Sequence, residues 1–266
     1  MSRGLAACAM VTLLVTASLL GALLWGMSSE TAPTISPWPL LAASLSVAVM
    51  ALLVAVPLGL LAAIHLAEFA SPGQRRVLGP LFDLLANVPT IVFAYLALTW
   101  VTPGLQRLLP GLGTFNLLSP GIVIGVMISP MLASLGAASL AAVPRSLREA
   151  AWALGADEVR TIVRVVLPAA APGLAAAILL VASRAIGETM IVTLAAAPWS
   201  GAGPGAGLDP LAPAETLSAH IVVAAMDGGA GASQGVFLIA ALLFIVTLGL
   251  NLVARRLLRR TNGGRG

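Results

Sequence analysis

The sequence predicts an all-α integral membrane fold with six transmembrane helices, on three observations. Of its 266 residues, 59% are hydrophobic and only 9% are charged, whereas a soluble domain carries about 25% charged residues. Mean hydropathy is +1.02. Several apolar runs exceed the ~20 residues that a helix needs to cross a hydrocarbon core. They place spans at 5–27, 40–66, 77–101, 118–142, 169–197 and 236–257, within a single membrane domain of residues 1–266. The third observation is where the basic residues fall, all of them arginine because the sequence has no lysine.

Arg3 precedes the first span, and Arg75 and Arg76 separate the second from the third. Arg145, Arg148, Arg160 and Arg164 lie between the fourth and fifth spans; Arg255, Arg256, Arg259, Arg260 and Arg265 lie at or beyond the end of the sixth. Twelve of the fourteen arginines therefore fall on one side, with Arg107 opposite and Arg184 inside a span. The positive-inside rule makes that side cytoplasmic, with both termini and the loop 145–168. The net charge of +4 reflects topology and contact with lipid headgroups. Nucleic acid is not an expected partner, because no basic patch is interleaved with aromatics.

Taken in order, the first apolar run is longer than the 7–15 residues of a signal-peptide core and no small-x-small site closes it, so it is expected to stay as a span. Cys8 is expected to be a small apolar residue within it, and one cysteine allows no internal disulfide. The second span contains Pro57 and Gly59 and leaves the membrane at His65-Leu66-Ala67-Glu68. Residues 71–76 read as a short cytoplasmic turn. Pro89 in the third span and Pro130 in the fourth are expected to kink helices and line a path, since neighbouring helices or Ser/Thr side chains can satisfy the freed carbonyls. Each could equally be a kink of packing alone. Gly121-x-x-x-Gly125 permits a close helix contact. The Gly/Pro/Ala-rich stretch 198–235 forms the outer loop; residues 214–226 read as a short helix lying on the outer surface or dipping into the membrane.

The sequence argues against enzymatic chemistry. Its two histidines, His65 and His220, fall on opposite sides of the membrane in this topology. No His/Cys/carboxylate cluster has metal-ligand spacing. The run 201–207 superficially resembles a phosphate-cradling loop but lacks a following Lys-Ser/Thr. Without lysine there is no P-loop, so no ATP or other cofactor is expected on this chain.

Residues Glu149–Pro168 are the most informative. Ala150, Ala151 and Ala153 favour helix, and Gly155, three residues beyond the Glu149-Ala150-Ala151 triplet, breaks or bends it. A second amphipathic turn carries Arg160 and Arg164 and ends in Val165-x-Leu167-Pro168. A short, small-surfaced, charged helix suits insertion into another protein's cleft better than burial in lipid. This pattern resembles the cytoplasmic coupling loop of ATP-driven importer permeases, where it docks on a separate ATPase subunit.

From about residue 38 onward the chain resembles the permease subunits of the bacterial phosphate-specific ABC importer, most closely the subunit lettered C. Leu84-Leu85-Ala86-Asn87-Val88-Pro89-Thr90-Ile91-Val92-Phe93 is similar to that family's third-span segment, with Asn87 in place of the usual glycine. Ser129-Pro130-Met131-Leu132-Ala133-Ser134 is similar to its fourth-span proline segment. Val143-Pro144-Arg145-Ser146-Leu147-Arg148-Glu149-Ala150-Ala151 leads into the coupling loop as in that family. Gly187-Glu188-Thr189-Met190 is characteristic of the C subunit. Leu135-Gly136-Ala137-Ala138 is uncharged where that family often has charges. Tungstate and molybdate permeases share the coupling loop but usually show Ser-Glu-x-Gly-Ala here, and import of another oxyanion (tungstate, molybdate or sulfate) stands as the alternative.

The resemblance implies a type I ABC importer permease fold in a bacterial cytoplasmic (inner) membrane. It implies a homologous second permease, two ATPase copies that bind ATP and Mg, and a periplasmic or lipid-anchored binding protein. Glu149, Ala150, Ala151, Gly155, Leu167 and Pro168 would then form the ATPase-coupling element. Arg184 and Glu188 are the clear ionisable pair within a span, one helical turn apart on the same face. The pair either locks the span against its neighbours or, with Thr189, faces the substrate path.

Overall fold

The computed structural model describes residues 36–196, 209–227 and 235–263, together with Ser18 and Gly21. The expected first span with Cys8, and the run 201–207, lie outside these residues. Among the described residues the fold is helical throughout, in the order α1 Pro37–Phe69, α2 Pro72–Ala86, α3 Thr90–Leu108, α4 Leu118–Ala141, α5 Arg145–Ala153, α6 Glu158–Ile186, α7 Met190–Ala195, α8 Leu217–Asp227 and α9 Val236–Gly263. Four of these (α1, α4, α6 and, over Val236–Leu258, α9) are long and apolar enough to cross a membrane, and the bent pair α2–α3 makes up to five.

The core is the α1–α4 pair, and small residues create it. On α1 the buried positions Leu40, Ala43, Ser44, Val47, Ala51, Ala55, Gly59 and Ala63 form one stripe at helical spacing. Gly121 and Gly125 of α4 meet that stripe so closely that a Cβ on Gly125 would lie 2.6 Å from the Ala51 carbonyl oxygen. A Cβ on Gly121 would lie 2.8 Å from Met50 Cβ. Farther along, Gly136 abuts Ala63 and Gly59 abuts Leu132, each with 2.8 Å for an added Cβ. Lipid tails offer helices no hydrophobic gain on association, so close van der Waals approach of small residues holds this pair. A side chain at Gly125 would overpack it, at a typical cost of about 1–3 kcal/mol.

Pro130 lies inside α4 without ending it. Its missing N–H leaves the Val126 carbonyl without its helical donor, and Ser129 Oγ donates to that oxygen at 2.8 Å. The neighbouring hydroxyl thus keeps the helix continuous.

Three expectations are corrected here. Residues 71–76 are not a turn: Ser71 caps α2, accepting from Gln74 N at 3.3 Å while Ser71 N donates to Gln74 Oε1 at 2.8 Å, with Pro72 in the first turn. This reciprocal capping box satisfies donors that a helix start leaves open. The span 77–101 is not one helix, because α2 and α3 meet at 80° across Asn87-Val88-Pro89. Pro89 supplies no donor and disfavours helical geometry at Val88. Nor does one helix cover 169–197. Helix α6 starts earlier, at Glu158, and stops at Ile186, and α7 begins after Gly187-Glu188-Thr189.

Helix α8 does not lie loosely on the surface. Its first turn is buried at Leu217 and Ala219, Leu217 N donates to Ser44 Oγ of α1 at 2.9 Å, and Ser218 Oγ donates to the Glu188 carbonyl at 2.8 Å. Helix α9 packs along α6, where Asn251 Nδ2 donates to Ser183 Oγ at 3.0 Å.

Candidate coupling surface and translocation path

Helix α5 follows α4 and carries Glu149, Ala150 and Ala151 of the predicted coupling residues; Gly155 lies just beyond it, and Leu167 and Pro168 lie in α6. It ends at Ala153 in two bonds, Gly155 N to the Trp152 carbonyl at 2.9 Å and Ala156 N to the Ala151 carbonyl at 3.0 Å. That is a Schellman termination, which needs a left-handed residue after the helix. Gly155 supplies it, with φ +80° and open space around the position of a Cβ. Asp157 then caps α6, accepting from Arg160 N at 2.6 Å. A π-turn at Ile162–Val166 precedes Pro168, with Leu167 N–H bonding to the Ile162 carbonyl. Such a widened turn accommodates a proline that lacks a donor.

Glu149, Ala150, Gly155 and Pro168 are exposed and Leu167 is half-buried. Ala151 departs from expectation as a surface contact: it is 8% exposed and packs α5 inward. The outer face instead presents large apolar side chains that the composition of the loop did not single out. Leu147, Trp152, Val159 and Val163 are exposed, and Leu154 is 90% exposed. Exposed apolar residues concentrated in one short segment are the mark of an interaction surface.

The base of α5 is tied down by charge. Arg148 Nη1 donates to Glu68 Oε2 at the end of α1, and Arg148 Nη2 donates to the Leu140 carbonyl at the end of α4 at 3.0 Å. Arg75 Nη2 donates to the Ala67 carbonyl at 2.6 Å. These groups line a cleft of about 440 Å³ with Arg145, Glu149, Trp152 and Glu158. Sequence reasoning missed the Glu68–Arg148 pair, whose members are 80 residues apart. A lone carboxylate at the end of a span was its sole trace.

Arg184 is exposed near the end of α6. Glu188 is not one helical turn away on the same face, because α6 terminates at Ile186, with Gly187 N bonding to the Ser183 carbonyl at 3.2 Å and Glu188 N to the Ala185 carbonyl at 3.3 Å. Glu188 is buried at 9% exposure. The two residues form no ion pair; among the described residues the ion pairs are Arg148–Glu68 and His220–Glu215. Thr189 is half-buried, with its hydroxyl donating to the Gly187 carbonyl at 3.3 Å. The break comes where glycine lowers helix propensity and where Ser218 takes the Glu188 carbonyl. The structure thus separates the triplet: Glu188 and Thr189 belong to the packed break, and Arg184 faces outward.

The proposed kink residues separate too. Pro89 is exposed and begins α3. Pro130 is buried and lines an apolar cleft of about 190 Å³ with Leu58, Phe82, Phe93 and Ser129.

Closely packed transmembrane helices, with a short projecting helix between α4 and α6, define a type I ABC importer permease fold. The chain belongs to the family of binding-protein-dependent transport system inner membrane components, which matches residues 55–261. It is 30% identical over 237 residues to the phosphate transport system permease protein PstC of Mesorhizobium japonicum, covering 82% of this chain and 71% of that one. It is 35% identical over 166 residues to the probable ABC transporter permease protein YqgH of Bacillus subtilis, covering 62% of this chain and 54% of that one. Identity is 37% over 142 residues with the phosphate transport system permease protein PstA 1 of Mycobacterium tuberculosis, covering 53% and 44%. The chain spans about half the length of several curated relatives it matches. An inward-facing structure of the MetNI methionine ABC transporter is similar in fold, with a TM-score of 0.58, 18% identity, and coverage of 89% of this chain and 96% of that chain.

Proposed function

We propose that this chain is one of two permease subunits of an importer that moves inorganic phosphate across a bacterial cytoplasmic membrane. In this reading a separate ATPase pair docks on α5 and supplies the energy, and a binding protein delivers the anion from outside. The exposed Arg184 carries the reading. It lies 16 residues beyond Pro168, about 24 Å along a helix, within a hydrocarbon core ~30 Å thick. An arginine at a span's centre costs about 2.5–3.5 kcal/mol on insertion scales, and one nearer the boundary costs less. With no ion-pair partner among the described residues, it is accommodated by facing a polar path shared with a second permease, where its fork of donors suits phosphate oxygens. The PstC and PstA relatives support phosphate over other oxyanions.

The test is uptake of radiolabelled phosphate by vesicles holding the complete complex, with tungstate, molybdate and sulfate as competitors. Phosphate uptake that a tenfold excess of these anions leaves unchanged is expected. Uptake of tungstate or sulfate in preference would replace phosphate as the ligand.

Orientation has its own test. In a Cys8-free background, Asp209→Cys is expected to react with an impermeant thiol reagent added from outside, and Glu158→Cys only after permeabilisation; both positions are exposed. The reverse pattern would invert the topology and place α5 on the wrong side for an ATPase.

A further inference from the structure

We propose that Glu68 and Arg148 form the joint that carries movement of the coupling helix α5 into the membrane helices α1 and α4. The proposal rests on the transport reading above. One guanidinium ties three elements: it is carried by α5, donates to Glu68 at the end of α1, and donates to the Leu140 carbonyl at the end of α4. The two side chains are only 16% and 9% exposed. A buried ion pair is weak support for stability, since apolar residues of similar volume often serve as well. Its use here is as a linkage. Helix α5 is joined through the loop to α6, which carries Arg184, so a push on α5 reaches α6 along the chain. The link from Arg148 takes the same push to α1 and α4, which interlock through Gly59, Gly121, Gly125 and Gly136 and so move as one body.

The pair is also half-made. Glu68 Oε1 and Arg148 Nε are both buried with no hydrogen-bond partner, so a single contact joins groups that can pair through two parallel bonds. Nη2, the other arm of an end-on fork, is held by the Leu140 carbonyl, so Glu68 and Leu140 divide the two arms between α1 and α4.

The experiment uses the whole complex with its ATPase and binding protein, in a Cys8-free background. Met190→Cys, an exposed position beside the α6–α7 break, reports thiol labelling with and without vanadate trapping of the ATPase. Glu68→Gln and Arg148→Gln are expected to keep the ATPase bound and hydrolysing, to lose the trapping-dependent change in labelling, and to lower uptake per ATP at least tenfold. The exchange Glu68→Arg with Arg148→Glu should recover part of both. Wild-type labelling changes and wild-type uptake per ATP in the single variants would overturn the joint. So would a fall in membrane-inserted chain in every variant with uptake per assembled complex unchanged, which marks a purely structural pair. Labelling does not depend on the transported anion. A wild-type complex that shows the labelling change but takes up no phosphate would refute the phosphate reading and leave the joint standing.

Discussion

Arg184→Gln is expected to abolish phosphate uptake while the chain inserts, pairs with its partner permease and binds the ATPase. The side chain is exposed and makes no ion pair among the described residues that a fold would lose. Its removal also relieves the cost of a charge at that depth, so assembly should be unharmed. The anion, by contrast, loses charge-assisted hydrogen bonds of about 1.5–3 kcal/mol each. One such bond is a loss of roughly ten- to a hundredfold, and the fork offers two. Arg184→Lys should retain little activity, because a point charge does not reproduce the planar fork. Glu188→Gln should behave differently. Glu188 is buried in the break between α6 and α7, so its loss should lower the thermal stability of the purified complex along with uptake. An Arg184→Gln complex that assembles and transports phosphate at the wild-type rate would show that Arg184 does not meet the anion.

Gly155→Trp is expected to leave the chain in the membrane, to weaken recovery of the ATPase with it, and to stop uptake. Two effects act together. A left-handed backbone costs a residue with a Cβ about 1–2 kcal/mol, and that strain falls on the turn that ends α5. The indole would also project from an exposed corner of the docking face, since no atom of the chain lies within 4 Å of a Cβ built there. Gly155→Asn separates them, because asparagine tolerates the left-handed region and adds little bulk. It should keep most ATPase binding and uptake, with Gly155→Val between the two. Full ATPase recovery and normal uptake with tryptophan would mean that this corner of α5 is not where the ATPase docks.

The short helix α5 was legible in the sequence because its determinants are local. Alanines set α5, and a glycine that must be left-handed ends it within the same ten residues. The close contact at Gly121 and Gly125 was legible for a related reason: a repeat of small residues states what a helix face can accept before its partner is known. The Arg184–Glu188 geometry was not. Spacing of four implies one face only if the helix runs on, and α6 stops at Ile186, with the Glu188 carbonyl accepting from Ser218, 30 residues later.

By itself, then, the sequence determined the membrane class, the placement of its charges, the short helix α5 and its terminating glycine, since hydropathy and turn chemistry act within a few residues. Tertiary structure decided that the Glu188 carbonyl meets Ser218 and that Glu68 reaches Arg148. Both join residues at least 30 positions apart, so they are set by the packing of whole helices and not by neighbours in the chain.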